Sequence, residues 1–133
     1  MEQLFTFGRF TILLMICLHI IADFLVQNDF LAKFKQKKNW EEYIAKNKNY
    51  KYDYISVLFA HAFSWSFITF FPLYLSIDHP KKGYIFAVIV IINTLIHSFV
   101  DDQKCNKFRI NLIVDQSCHL IQIILTFIVC YFM

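Results

Sequence analysis

The sequence predicts an all-α fold, a polytopic membrane protein built as an antiparallel four-helix transmembrane bundle, and three observations carry that expectation. The first is composition. Of the 133 residues, 58% are hydrophobic and 19% aromatic, with two Gly and two Pro, which leaves too little polar residue to cover a soluble domain of this length. The second is distribution. Lys and Arg are absent from 10–32, 53–80, 83–103 and 110–133, and each tract is long enough to carry a helix across about 30 Å of hydrocarbon. The third is the placement of charge. The 33–51 segment carries seven Lys, and Lys104, Lys107 and Arg109 follow the third tract. In a four-span topology these two connections share one side, while Arg9, Lys81 and Lys82 lie on the other. The positive-inside rule then puts the basic loops in the cytoplasm and both termini outside.

Taken in order, the elements form one four-span domain over 1–133. The first span covers about 10–30. It has no small-x-small cleavage site, and its core carries His19 and Asp23, so it reads as a retained span and not as a signal peptide. The connector, about 33–53, places Trp40, Tyr43, Ile44 and Ala45 among Lys and Glu at near-helical spacing. That spacing suggests a short amphipathic interfacial segment between spans one and two; a plain linker with interfacial aromatics is the alternative. The second span covers about 54–77 and ends at an Asp78-His79-Pro80 turn signal. The third covers about 84–101 and the fourth about 111–131, and connections this short allow antiparallel neighbours. The four cysteines, Cys17, Cys105, Cys118 and Cys130, form no CxxC pair and read as small apolar residues, not ligands. No repeat or nucleic-acid signature is present. The basic loops follow from topology alone, with attraction to anionic membrane lipids as a second reading.

The chemistry lies in the polar residues inside the spans. His19 and Asp23, His97 and Asp101, and Asp115 and His119 are each separated by four positions, while His61 stands alone in the second span. A spacing of four puts both side chains on one helix face, a turn apart. Gln27, Asn93 and Gln122 extend the same stripes and read as supporting hydrogen-bonding residues or interhelical contacts. Counted inward from the basic side, His61 and His119 lie about 12 Å deep by helix rise. Asp23 reaches a similar depth and His97 a shallower one, so polar groups from four spans converge on one layer. An Asp at mid-span costs about 2.5–3.5 kcal/mol, and three unpaired would cost roughly 7–10 kcal/mol. No Lys or Arg stands inside a span to offset this, which leaves protonated His or a bound metal.

His and Asp are good ligands for zinc, and for manganese or iron. His19, Asp23, His61, His97, Asp101, Asp115 and His119 are therefore the candidate ligands for one or two divalent ions. Any of Asp23, Asp101 and Asp115 not used as a ligand is a candidate general base. A metal-free His–Asp proton relay and purely structural helix–helix hydrogen bonding are the competing readings. Gln116, next to Asp115, faces elsewhere on the helix and reads as packing. Lys33 and Lys35 read first as ordinary flanking charge, and secondly as contacts to an anionic head group.

The run His19-Ile-Ile-Ala-Asp23-Phe24-Leu-Val-Gln27, followed by Ala32, Lys33 and Lys35, resembles the opening of the domain-of-unknown-function 3307 family, small membrane proteins of bacteria and their phages. His61, the His97–Asp101 pair and the Asp115-Gln116-x-x-His119 segment resemble its other signature positions, in the same order. The resemblance implies a multi-pass protein of the bacterial inner membrane and supports the site without naming a substrate. Ligand chemistry makes a metal-dependent hydrolase at the cytoplasmic leaflet the leading expectation. A divalent-cation or proton transporter is the second. It is disfavoured by an outer half in which Phe70, Phe71, Leu73, Phe86, Val88 and Ile89 are apolar and Thr11 and Thr126 read as isolated. A non-catalytic membrane effector with a structural metal is the third. Membrane lipids and a homo-oligomeric partner are the expected contacts.

Overall fold

A computed structural model of the chain describes residues 2–77 and 79–132, with side chains from Gly8 onward. Asp78 of the expected turn lies outside the described residues. The described residues form helices and turns, with no strand among them. Helix α1 (Glu2–Ile21) continues into a π-helical turn, Ala22–Val26. Two short helices follow, α2 (Asp29–Phe34) and α3 (Glu41–Lys46), and then three long ones, α4 (Asp53–Ser76), α5 (Lys82–Cys105) and α6 (Leu112–Tyr131). Four segments are long and apolar enough to cross a membrane: Gly8–Val26, Lys48–Ser76, Lys82–Cys105 and Leu112–Tyr131.

The long helices bury narrow stripes and expose broad apolar faces. Thr11, Met15, His19 and Ala22 form the buried stripe of α1, spaced by three or four as one helix face requires. On α4 the stripe runs through Val57, Leu58, His61, Ala62, Trp65, Ser66, Thr69, Phe70 and Leu73, while Phe59, Phe63, Phe67 and Phe71 form an exposed ladder on the other side. Exposed apolar faces around a partly polar interior invert the pattern of a soluble helix and suit a hydrocarbon surround. Helix α4 packs against α1, α5 and α6, and α6 also meets α1 and α5, so the four stripes face a common interior. The apolar core of Met15, Ala22, Trp65, Phe70, Leu73, Phe86, Ile89, Val90 and Ile123 sits there.

The first span is shorter than the sequence suggests. The helix stops at Val26, Gln27 is extended (ψ 103°), and the Asn28 side chain accepts from the Leu31 N–H as the cap of α2. The cap supplies a partner for an orphan amide at the new helix start, so the 27–35 stretch doubles back against α4 instead of continuing the first helix. The connector then closes on itself. Trp40 Nε1 donates to the Phe34 carbonyl at 2.7 Å, and the rings of Phe30, Phe34, Trp40, Tyr43 and Tyr50 form one edge-to-face and stacked cluster. At its other end α5 runs past Asp101 to Cys105. That extension puts Lys104 on the helix, three positions after Asp101, and not in a loop. The tight α5–α6 connection uses Phe108 at φ 54°, and Asn111 caps α6 by accepting from the Val114 N–H.

Candidate metal centre

Each of the four stripes brings its ionisable groups to the same level, toward the basic end of the molecule. His19, His61, His97, Asp101, Asp115 and His119 are all buried, and Asp23 keeps about a tenth of its side chain exposed. The fold gathers at one level the six residues paired by spacing and His61, singled out by its depth along the second span.

His61 Nε2 lies 3.3 Å from His97 Nε2, 3.4 Å from Asp101 Oδ2 and 3.6 Å from Asp23 Oδ1. His97 Nε2 is 3.8 Å from Asp101 Oδ1. His119 Nε2 is 3.5 Å from Asp101 Oδ1 and 3.5 Å from Asp115 Oδ1. Two groups of donors converge closely enough to hold a metal ion: Asp23, His61 and His97, and His97, Asp101 and His119. His97 belongs to both, so one Nε2 serves one ion at a time. The N···O separations exceed the N–H···O hydrogen-bond range of about 2.7–3.2 Å, while the His61–His97 contact is a hydrogen bond. All but the 3.8 Å separation match the spacing between neighbouring ligands on a tetrahedral ion, about 3.3–3.6 Å for bond lengths of about 2.0–2.2 Å. Asp115 Oδ1, His97 Nδ1 and both ring nitrogens of His119 are buried without a hydrogen-bond partner among the described residues. Polar atoms this deep are normally paired, so the donor set fits a cation that it could share.

His19 stands beside these groups and in neither. Its Nδ1 accepts from Trp65 Nε1 at 2.9 Å, and its ring meets His119 edge-on at 5.9 Å. The Trp65 ring also packs against His97 at 4.2 Å, and His97 against His119 at 4.0 Å. Trp65 thus fixes three imidazoles. It lies four positions after His61 on the same face, a signal of the kind that paired the other residues and that went unused.

The expectation that no cation reaches the layer is overturned. Lys35 Nζ lies 2.7 Å from Asp101 Oδ2 with its side chain 8% exposed, and Lys104 Nζ lies 2.6 Å from Asp115 Oδ2. Lys35 gets there because the chain doubles back at Gln27 and Asn28; Lys104 because α5 is longer than expected. Lys33 stays exposed, its ammonium over the Phe34 ring, and remains a flanking charge. Gln27, in the amide orientation that satisfies its neighbours, donates to the Asp23 carbonyl at 3.2 Å and accepts from Lys35 Nζ at 2.8 Å.

Gln116 and the two threonines differ from expectation, while Asn93 and Gln122 take the interhelical alternative. Gln116 Nε2 donates to Asp23 Oδ2 at 2.9 Å and to Asp115 Oδ2 at 3.1 Å. Its Cα points about 100° from that of Asp115, but the long amide reaches across to α1 and joins two carboxylates. Asn93 and Gln122 sit one turn beyond His97 and His119. Gln122 Nε2 donates to the Asn93 carbonyl and to Asn93 Oδ1, both at 2.8 Å, and Thr126 donates to the same Oδ1 at 3.2 Å. They therefore join α5 to α6 and do not contact the donor groups. Thr11 and Thr126 are not isolated: Thr11 Oγ1 lies 3.1 Å from Ser76 Oγ. His79 is exposed and accepts from the Lys81 N–H, away from the centre as expected.

No curated protein and no solved structure matches the chain. A family model described as a protein of unknown function (DUF3307) matches residues 10–133, nearly the whole of the sequence whose motifs build this centre, and the chain belongs to that family.

Proposed function

We propose that this chain is an integral membrane metalloprotein of the bacterial inner membrane, with its four long helices antiparallel and its basic end in the cytoplasm. Its His/Asp centre would hold zinc in preference to manganese or iron and act as a hydrolase at the cytoplasmic leaflet. The observation that carries this reading is the convergence of His97, Asp101 and His119, with Asp101 Oδ1 3.8 Å from His97 Nε2 and 3.5 Å from His119 Nε2, near the spacing of neighbouring ligands on a tetrahedral ion. A bound divalent ion supplies a water of lowered pKa and polarises a substrate oxygen.

The chain's own groups divide the remaining work. His97, Asp101 and His119 would hold the ion, with His61 beside them at 3.3 Å from His97 Nε2 and 3.4 Å from Asp101 Oδ2. Asp23, the most open of the centre's three carboxylates, takes the proton, with Gln116 holding its Oδ2. Trp65 keeps His19 in one ring orientation through its indole N–H. Asp23→Asn should then retain metal while turnover of phospho- or acyl-ester lipids in nanodiscs falls about 10²- to 10⁴-fold, the usual worth of a positioned base. Loss of metal from that variant would make Asp23 a ligand, and unchanged turnover would remove it from the reaction.

A second reading, cation or proton transport, draws support from one observation. Buried polar groups continue from the centre toward the other end through Asn93, Gln122, Thr94, Ser66, Thr69 and Thr11. Metal-dependent flux in proteoliposomes that disappears with His61→Ala would favour transport over hydrolysis.

A further inference from the structure

The two lysines drawn onto the centre say what kind of molecule it takes, an inference that rests on the metal reading above. Lys35 and Lys104 each occupy a carboxylate, Asp101 and Asp115, that borders the metal-capable donors. They arrive from different elements, the C-terminal cap of α2 and the last turn of α5, and Lys35 is buried.

Charge decides the consequence. With the imidazoles neutral, as ligation requires, Asp23, Asp101 and Asp115 against Lys35 and Lys104 leave a net charge of minus one. One divalent ion turns it to plus one, and a second makes it more positive still. A net cation within the low-dielectric layer is costly unless an anion joins it. An ion held at Asp101 Oδ1 leaves the Lys35 and Lys104 ammonium groups on the Oδ2 atoms of Asp101 and Asp115, each with an N–H donor to spare. Two such point charges beside a metal are suited to the oxygens of a phosphate.

A basic cavity adjoins the segments that carry the two lysines. A cavity of about 280 Å³ lies at the basic end, lined by Lys37, Lys38, Cys105 and Asn106 among others. Asn106 joins it to the centre: Nδ2 donates to the Lys35 carbonyl at 3.2 Å and Oδ1 accepts from the Lys37 N–H at 2.7 Å. Cys105 is the neighbour of Lys104. Glu41 on the rim is the one acidic lining residue, so cationic side chains lead from the exposed Lys37 and Lys38 toward Lys35 and Lys104.

We propose that Lys35 and Lys104 form an anion subsite beside the metal, taking the phosphate of a lipid head group or of a soluble phosphate monoester through the cavity at Lys37 and Lys38. The test uses the full chain in nanodiscs, zinc-loaded, with inorganic phosphate followed by calorimetry or phosphorus NMR, and with phosphatidic acid against phosphatidylcholine as the disc lipid. Zinc-loaded wild type should bind phosphate or phosphatidic acid. Lys35→Met and Lys104→Met should each weaken that binding about tenfold or more, the worth of a charge-assisted hydrogen bond, without loss of zinc. Lys35→Arg and Lys104→Arg, which keep the charge, should retain most of it. Lysine-dependent binding of phosphatidic acid alone identifies the lipid source, and of free phosphate alone the soluble one. Zinc-loaded wild type that binds neither, or Met variants that bind as wild type does, would overturn the subsite and leave the metal reading standing. Wild type that takes up no metal would overturn the metal reading and the subsite with it.

Discussion

At the scale of single residues, the centre depends on groups that orient the ligands as much as on the ligands. Trp65 makes the point. Its indole N–H ends on His19 Nδ1, and its ring packs against His97 and faces His119. An imidazole with one nitrogen committed has a defined tautomer and a defined free nitrogen. Trp65→Phe keeps most of the ring packing and removes the donor. It should lower zinc affinity about tenfold, within the range for an outer partner of a ligand, and stability by about 1 kcal/mol for the lost hydrogen bond. Chelator competition and thermal unfolding of the same preparation measure the two effects. Equal affinity in the variant would show that His19 and its donor do not bear on the ion. His97 carries more weight, because both donor groups use it.

At the scale of elements, the break between α1 and α2 controls the centre from outside it. Gln27 turns the chain, Asn28 caps α2, and α2 delivers Lys35 to Asp101. Asn28→Ala should cost about 1 kcal/mol, the usual worth of a cap, and should raise hydrogen exchange in 29–35 before exchange rises in α4 to α6. Uniform exchange across these segments would deny α2 that independent weight. The same break explains what was legible in the sequence. The three His–Asp pairs were readable because a spacing of four is a property of one helix, and His61 because depth along α4 follows from chain length. Lys35 was not, since its position depends on α2 folding back against α4, a tertiary event with no local signature beyond Asn28. Lys104 was hidden by taking α5 to end at Asp101, and Gln116 by judging direction from Cα geometry without side-chain reach. Trp65 was within reach through its spacing from His61.

At the scale of the whole molecule, polar groups face inward and apolar ones outward. The Phe59, Phe63, Phe67 and Phe71 ladder is exposed, while His, Asp, Asn and Thr side chains fill much of the interior. The four long apolar helices were legible because Lys and Arg are confined to their ends and to the connections, a pattern that a hydrocarbon surround imposes and no one contact does. The proposed orientation makes a direct prediction. In intact cells, Asn47→Cys in the basic connector should resist a membrane-impermeant maleimide, and Lys82→Cys at the other end should react with it. The reverse pattern would turn the molecule over and move the centre to the outer leaflet. The central claim, that the gathered donors hold a metal, is most directly tested by the metal content of purified protein, measured by elemental analysis for wild type and His97→Ala. Wild type should carry about one zinc per chain, as a tetrahedral His/Asp site does, and His97→Ala, which removes the nitrogen common to both donor groups, should carry almost none. Wild type without stoichiometric zinc, manganese or iron, or a His97→Ala variant that keeps its full complement, would contradict the account.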